Sequence, residues 1–112
     1  VIPGPAAFIN ALVSSGKPAH KFYFSGFLPN RPQARRNRLV ELEKLDCTVI
    51  FYESCHRIAE TLADVAKIYG EREVVVAREL TKKFEEIKRG KAEELSGYYK
   101  EKKARGEFVV VL

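Results

Sequence analysis

The sequence predicts an α/β fold, a mixed sheet of four to five strands with helices on both faces. Three observations carry this. The runs 47–52, 73–77 and 107–112 are almost wholly apolar, and strands apolar on both faces need cover on both. Between them lie segments whose apolar residues recur at helical spacing, such as Ile58, Leu62, Val65, Ala66 and Tyr69. The two kinds of segment alternate along the chain, the pattern of helices layered on a sheet.

Taken in order, Pro5 suits a first helical turn, and Phe8, Ile9, Leu12 and Val13 form one face before Gly16 stops the helix. His20 to Phe27 reads as an aromatic strand. Residues 28–33 form a loop, and Gln33 to Leu45 a helix with Leu39, Leu42 and Leu45 inward. Cys47 to Tyr52 is a buried strand, His56 to Tyr69 a helix stopped by Gly70, and Glu73 to Ala77 a further strand. Phe84 to Arg89 is expected as a short strand, Ala92 to Lys103 as a helix and Glu107 to Leu112 as the last strand. Val49, Phe51, Val75, Val109 and Val111 are the expected core.

At 112 residues the chain fits one domain, and 46% hydrophobic with 31% charged residues is ordinary globular material. No apolar run nears the roughly 20 residues a membrane span needs. The chain opens on Val1, contains no Met and closes on the apolar Phe108 to Leu112. The expectation is therefore a domain cut from a longer protein, holding part of an active site. Cys47 and Cys55 are too few for a disulfide framework and lack metal-ligand spacing. They read as buried thiols of a reducing cytosol.

Net charge is +5, unevenly spread. Residues 17–45 carry seven Lys/Arg against two Glu, 46–81 four against seven acids, and 82–112 nine against six. Two basic regions flanking an acidic middle can present a basic face to a polyanion, or merely a solvated surface.

In a layered sheet, ligands sit beyond the carboxyl ends of strands, so the segments that follow strands are the ones to inspect. Tyr52-Glu53-Ser54-Cys55-His56-Arg57 is the densest. Ser54 can cap the next helix. Arg57 in the first turn opposes the helix dipole, which suggests an anionic ligand or a buried carboxylate partner. Ala77-Arg78-Glu79-Leu80-Thr81-Lys82 is the second, with Arg78 and Glu79 open to reading as a structural ion pair. Pro3-Gly4-Pro5 is a stiff turn that permits close backbone approach. No phosphate loop, dinucleotide fingerprint or metal cluster is present.

In order, Val-Ile-Pro-Gly-Pro-Ala-Ala at 1–7, Gly-Phe-Leu-Pro at 26–29, Ile-Phe-Tyr-Glu-Ser-Cys-His-Arg at 50–57, Val-Val-Ala-Arg-Glu-Leu-Thr-Lys at 75–82, Arg-Gly at 89–90 and Gly-Glu-Phe-Val at 106–109 resemble a known domain. It is the carboxyl-terminal domain of the ribosomal RNA branch of the tetrapyrrole (corrin/porphyrin) methylase family. That family usually has serine at the place of Ala6 and proline at the place of Cys55.

The resemblance implies residues 1–112 as the C-terminal half of a two-domain, cytoplasmic, homodimeric methyltransferase using S-adenosylmethionine, without membrane attachment or metal. The missing N-terminal domain would supply the main cofactor loop. The acceptor would be the 2′-oxygen of a cytidine ribose in the RNA of the small ribosomal subunit. Catalytic roles fall on Glu53 and His56, and cofactor contacts on Tyr52, Glu53, Ala77, Arg78 and Glu107. RNA contacts fall on Arg31, Arg35, Arg36, Arg38, Arg57 and Lys82, with Arg78 a further candidate for phosphate. Two alternatives stay open: a tetrapyrrole C-methyltransferase, disfavoured by the basic charge, and a non-catalytic RNA- or protein-binding module.

Overall fold

Five strands form a single mixed sheet in the order β1-β2-β5-β3-β4. They are β1 (Phe22–Phe27), β2 (Thr48–Ser54), β3 (Glu73–Leu80), β4 (Lys83–Lys91) and β5 (Glu107–Val111). Helix α1 (Pro32–Glu43) follows β1, α2 (Ile58–Tyr69) follows β2 and α3 (Ala92–Lys102) follows β4. The computed structural model describes residues 11, 15–17, 21–80, 83–102 and 105–112. The expected Pro-Gly-Pro turn and most of the first expected helix lie outside these, as do Thr81 and Lys82. Ala11 and Ser15 are helical, and Gly16 follows in a turn.

β1 pairs parallel with β2, whereas β5 runs antiparallel to both of its neighbours, β2 and β3. β4 closes a hairpin with β3. Every expected core residue is at most 2% exposed. Alternation along the strands divides the core in two. Val49, Phe51, Val74, Val76, Phe108 and Val110 face the three helices. Ile50, Val75, Ala77, Val109 and Val111 face the other way and bury Ala11. An Arg89 guanidinium hydrogen bond to the Ser15 carbonyl ties that helical residue to β4.

Four local expectations change. Helix α1 begins at Pro32, whose missing N–H costs nothing in the first turn, and it ends at Glu43. Leu45 therefore falls outside it and is 41% exposed, while Leu39 and Leu42 are buried. Helix α2 begins at Ile58, because Cys55 to Arg57 form a turn with the Arg57 amide on the Ser54 carbonyl. Ser54 consequently caps nothing; the N-cap residue is Arg57. Strand β3 runs past the expected end at Ala77, so Arg78 to Leu80 are also strand, held by backbone pairing to β4. Cys47 and Cys55 are free thiols, only partly buried. Gly70 ends α2 with φ 67°, a left-handed conformation open to glycine, and its amide bonds the Ala66 carbonyl.

Candidate functional site at the carboxyl ends of β2 and β3

The ends of β2 and β3 share one sheet edge, though not as adjacent strands. β5 enters between them, and its first residue, Glu107, pairs with Ser54 on one side and Glu79 on the other. Two strand spacings, roughly 10 Å, thus separate the two segments. The period of an apolar run shows that a strand exists; it does not show which strand lies beside it.

The pleat then sorts the candidate residues between two faces, because successive side chains point oppositely. Tyr52 and Ala77 lie on the face opposite the helices, packed with Val109. Phe24 and Phe27 meet the Tyr52 ring at centroid distances of 5.1 and 5.4 Å. Burial raises the Tyr52 phenol above its ordinary range, and the charges of Glu79 and Glu107 raise it further. Those two carboxylates therefore look onto the same aromatic surface. The rings are inclined to one another, Phe24 at 73° and Phe27 at 58° to Tyr52, and an aromatic cluster edged by two acids fits a ligand with a planar ring and a positive centre.

Glu53 points to the helix side and is 2% exposed. Its Oε1 accepts from the Ser54 amide at 2.8 Å and from Arg57 Nε at 3.2 Å. Its Oε2 accepts from Thr61 Oγ1 at 2.6 Å. The charge is neutralised by Arg57, which is the buried carboxylate partnership the position of Arg57 suggests. Three donors on one carboxylate lock the turn to the first turns of α2. His56, between those anchor points, is exposed.

Arg78 also lies on the helix side. Its partner is not Glu79, which strand alternation turns away, but Glu86 of β4, with Nε 3.9 Å from Oε1. Arg78 Nη1 donates to the Arg105 carbonyl at 3.4 Å, tying β3 to the residues before β5. Glu86 accepts from the hydroxyls of Tyr98 at 2.9 Å and Tyr99 at 3.2 Å, and from Lys102 Nζ at 3.4 Å. Burial alone would raise the Glu86 carboxyl. The hydrogen bonds from Tyr98, Lys102 and Tyr99, with the Lys102 charge, outweigh it, and the net shift is downward. Burial pushes the Tyr99 phenol far upward, and the Glu86 charge adds to this.

The basic stretch on α1 is divided. Arg31 is exposed, and Arg36 and Arg38 are 40% and 43% exposed. Arg35 is 3% exposed, with Nε on Asp64 Oδ2 at 2.9 Å and Nη2 3.6 Å from Glu60. The structure removes Arg35 from the basic surface, since its guanidinium pins α1 to α2.

Sequence reasoning missed Thr61, Glu86, Tyr98, Tyr99 and Lys102. Their partners are remote in sequence, and only Thr61, eight residues after Glu53 and facing its strand, left a local signal. No cluster of three or more metal-binding side chains occurs among the described residues. Nor, among them, is any helix long and apolar enough to cross a membrane.

The chain is similar to known proteins along its whole length. Residues 1–96 match the family described as Tetrapyrrole (Corrin/Porphyrin) Methylases. The chain is 48% identical over 114 residues to a Xylella fastidiosa protein named ribosomal RNA small subunit methyltransferase I, covering 99% of this chain and 42% of that one. Proteins of the same name show 45% identity in Thermotoga maritima, over 100% of this chain and 50% of the relative, and 44% in Bacillus subtilis, over 99% and 38%. The chain thus spans two fifths to one half of the length of these relatives.

Proposed function

Because the chain belongs to the tetrapyrrole (corrin/porphyrin) methylase family, we propose that it is the carboxyl-terminal half of a methyltransferase that uses S-adenosylmethionine to methylate the ribose 2′-oxygen of a cytidine in small-subunit ribosomal RNA. The observation that carries this reading is 44–48% identity, over at least 99% of the chain, to proteins named for ribosomal RNA methylation. The exposed Arg31 and the partly exposed Arg36 and Arg38 are consistent with a polyanionic substrate, and Arg57 and Lys82 extend the proposed RNA contacts.

S-adenosylmethionine, when bound, supplies a methyl group on a sulfonium centre. The residues able to hold it here are Tyr52, Glu79 and Glu107, with the small side chain of Ala77 buried beneath them. Most of the rate in such a displacement comes from alignment, worth up to roughly 7–11 kcal/mol. This chain's contribution is a rigid rim. Glu53 is proposed to act through position, holding the turn that presents His56, because its oxygens already accept three hydrogen bonds. His56, exposed at the same turn on the sheet edge where the two faces meet, is the proposed acceptor of the proton of a ribose hydroxyl reaching over that edge to the cofactor, a role worth about 10²–10⁴-fold. The rest of the cofactor site is assigned to the missing N-terminal domain, and the working unit to a cytoplasmic homodimer.

The test is the full-length protein with methyl-labelled S-adenosylmethionine and small-subunit ribosomal RNA. Label at a cytidine 2′-oxygen is the expected result. Label on a tetrapyrrole precursor and none on RNA would overturn the reading.

A further inference from the structure

A groove of about 690 Å³ runs between α2 and α3 on the helix side of the sheet. Its lining includes His56 from the turn before α2, Ala59 and Ala63 from α2, Tyr99 and Lys100 from α3, and Arg105 from the segment entering β5. Arg105 lies two residues before Glu107, so the groove opens beside the sheet edge described above, but on the opposite face from Tyr52. The acid–aromatic surface does not include it.

Charge and shape both point to the occupant. Glu60 is the one carboxylate among the lining residues, and it lies 3.6 Å from the Arg35 guanidinium, which offsets it from behind. Lys100 and Arg105 are exposed, and neither takes part in an ion pair among the described residues. The alanines leave a recess that longer side chains would fill; beside it the Ser96 hydroxyl donates to the Ala59 carbonyl at 2.7 Å and ties α3 to α2. An apolar recess with two free cations beside it suits a flat base joined to a phosphate. An acidic protein segment could pair with the cations but would bring no planar base to the recess, and duplex RNA would offer no unstacked base to it.

We infer that the α2–α3 groove is a nucleotide subsite, taking one unpaired nucleotide of the RNA with its base over Ala59 and Ala63 and its phosphate on Lys100 and Arg105. This rests on the RNA reading above and adds a second contact to it, on the face away from the proposed cofactor contacts.

The test measures binding of fluorescein-labelled decacytidylate to the full-length protein by anisotropy across a salt series. Lys100→Gln combined with Arg105→Gln should weaken binding about tenfold and lower the slope of log affinity against log salt by about 1.4, the value for two single-strand phosphate contacts. Ala63→Leu fills the recess without altering charge, and should weaken binding severalfold at unchanged slope. Lys67→Gln combined with Lys91→Gln removes two exposed charges at the far end of the sheet and should bind like the wild type. Thermal melts identify any variant that has lost its fold, and the charge variants, being on the surface, are the decisive pair.

Wild-type affinity in both groove variants, with RNA methylation intact, overturns the subsite and leaves the methyltransferase reading standing. Equal losses from the groove pair and the distant pair also overturn it, because binding would then follow net charge alone. A wild-type protein that neither binds decacytidylate nor methylates ribosomal RNA overturns both readings together.

Discussion

Thr61 donates its hydroxyl to Glu53 across 2.6 Å, with both side chains out of water. The bond ties the end of β2 to the first turn of α2 and sets the path of the chain between them. Breaking it from either side has unequal consequences. Thr61→Val leaves a carboxylate with two donors still in place, and should cost about 1–2 kcal/mol. Glu53→Ala strands the Thr61 hydroxyl and removes the partner of Arg57, and should cost about 3 kcal/mol or more. Denaturant midpoints of the full-length proteins check both, and equal small losses would contradict the geometry.

Arg35 and Arg38 sit less than one helical turn apart on α1 and should respond in opposite ways. Asp64→Ala leaves the buried Arg35 guanidinium short of its main partner, and should destabilise by about 3–5 kcal/mol. Arg35→Gln should likewise lower stability while leaving RNA affinity of the folded protein unchanged. Arg38→Gln should reduce RNA affinity and leave the melting temperature within a degree or two, since its 4.0 Å pairing with Glu41 is on the surface. Melting curves and RNA titrations on the same samples separate the two effects.

The helix α1 also shows what could be read from sequence and what could not. Arg35, Leu39 and Leu42 fall at i, i+4 and i+7, one stripe of the helix, so the burial of Arg35 was available from spacing. It was hidden by the run of arginines around it. Leu45 looked inward by the same spacing but lies past the helix end. The fold class and the strand cores were legible because alternation and helical period are local signals. The insertion of β5 between β2 and β3 was not, since strand order depends on long-range pairing. Nor was the extension of β3 through Arg78 to Leu80 legible, because the partner strand, Lys83–Lys91, is mostly charged, as edge strands often are.

Acid stability should carry a signature of Glu86. Its carboxyl is held below the ordinary value of 4.5 in the folded chain. A depressed carboxyl stabilises the fold above the unfolded value, and that contribution is lost as pH falls from about 4.5 through the folded value. Glu86→Gln should flatten the acid limb of a stability-against-pH curve in that window. An unchanged limb would mean the hydrogen bonds from Tyr98, Tyr99 and Lys102 do not favour the ionised form.

Tyr69 predicts a change at the alkaline end. Burial pushes its phenol up to about 12, and its hydroxyl has no hydrogen-bond partner among the described residues. The unfolded phenol ionises near 10 while the folded one stays neutral, so stability should fall as pH climbs from 10 towards about 12. Tyr69→Phe should remove that loss. At neutral pH it should be neutral or stabilising by up to about 1 kcal/mol, because it removes a buried unpaired group. Urea titrations at neutral and alkaline pH provide the measurement.

The acid–aromatic face makes a prediction about the cofactor. Glu79→Gln with Glu107→Gln should weaken S-adenosylmethionine binding to the full-length enzyme by about fivefold per carboxylate, the scale of a partly exposed charge contact near 1 kcal/mol. S-adenosylhomocysteine, which lacks the sulfonium charge, should lose far less. Calorimetry with both ligands distinguishes a charge effect from damage to the pocket, which would weaken the two alike.

The alternation in β5 restricts which insertions and deletions the gene can tolerate. Glu107 faces one way, and Phe108, the next residue, is fully buried on the other. Adding or removing one codon within this strand would exchange the faces, driving a carboxylate into the hydrocarbon interior and a phenyl ring into solvent. Length variation in descendants of this sequence should therefore collect in the segment before Glu107–Val111 rather than within the strand. Among surviving lineages the strand itself should change by substitution alone.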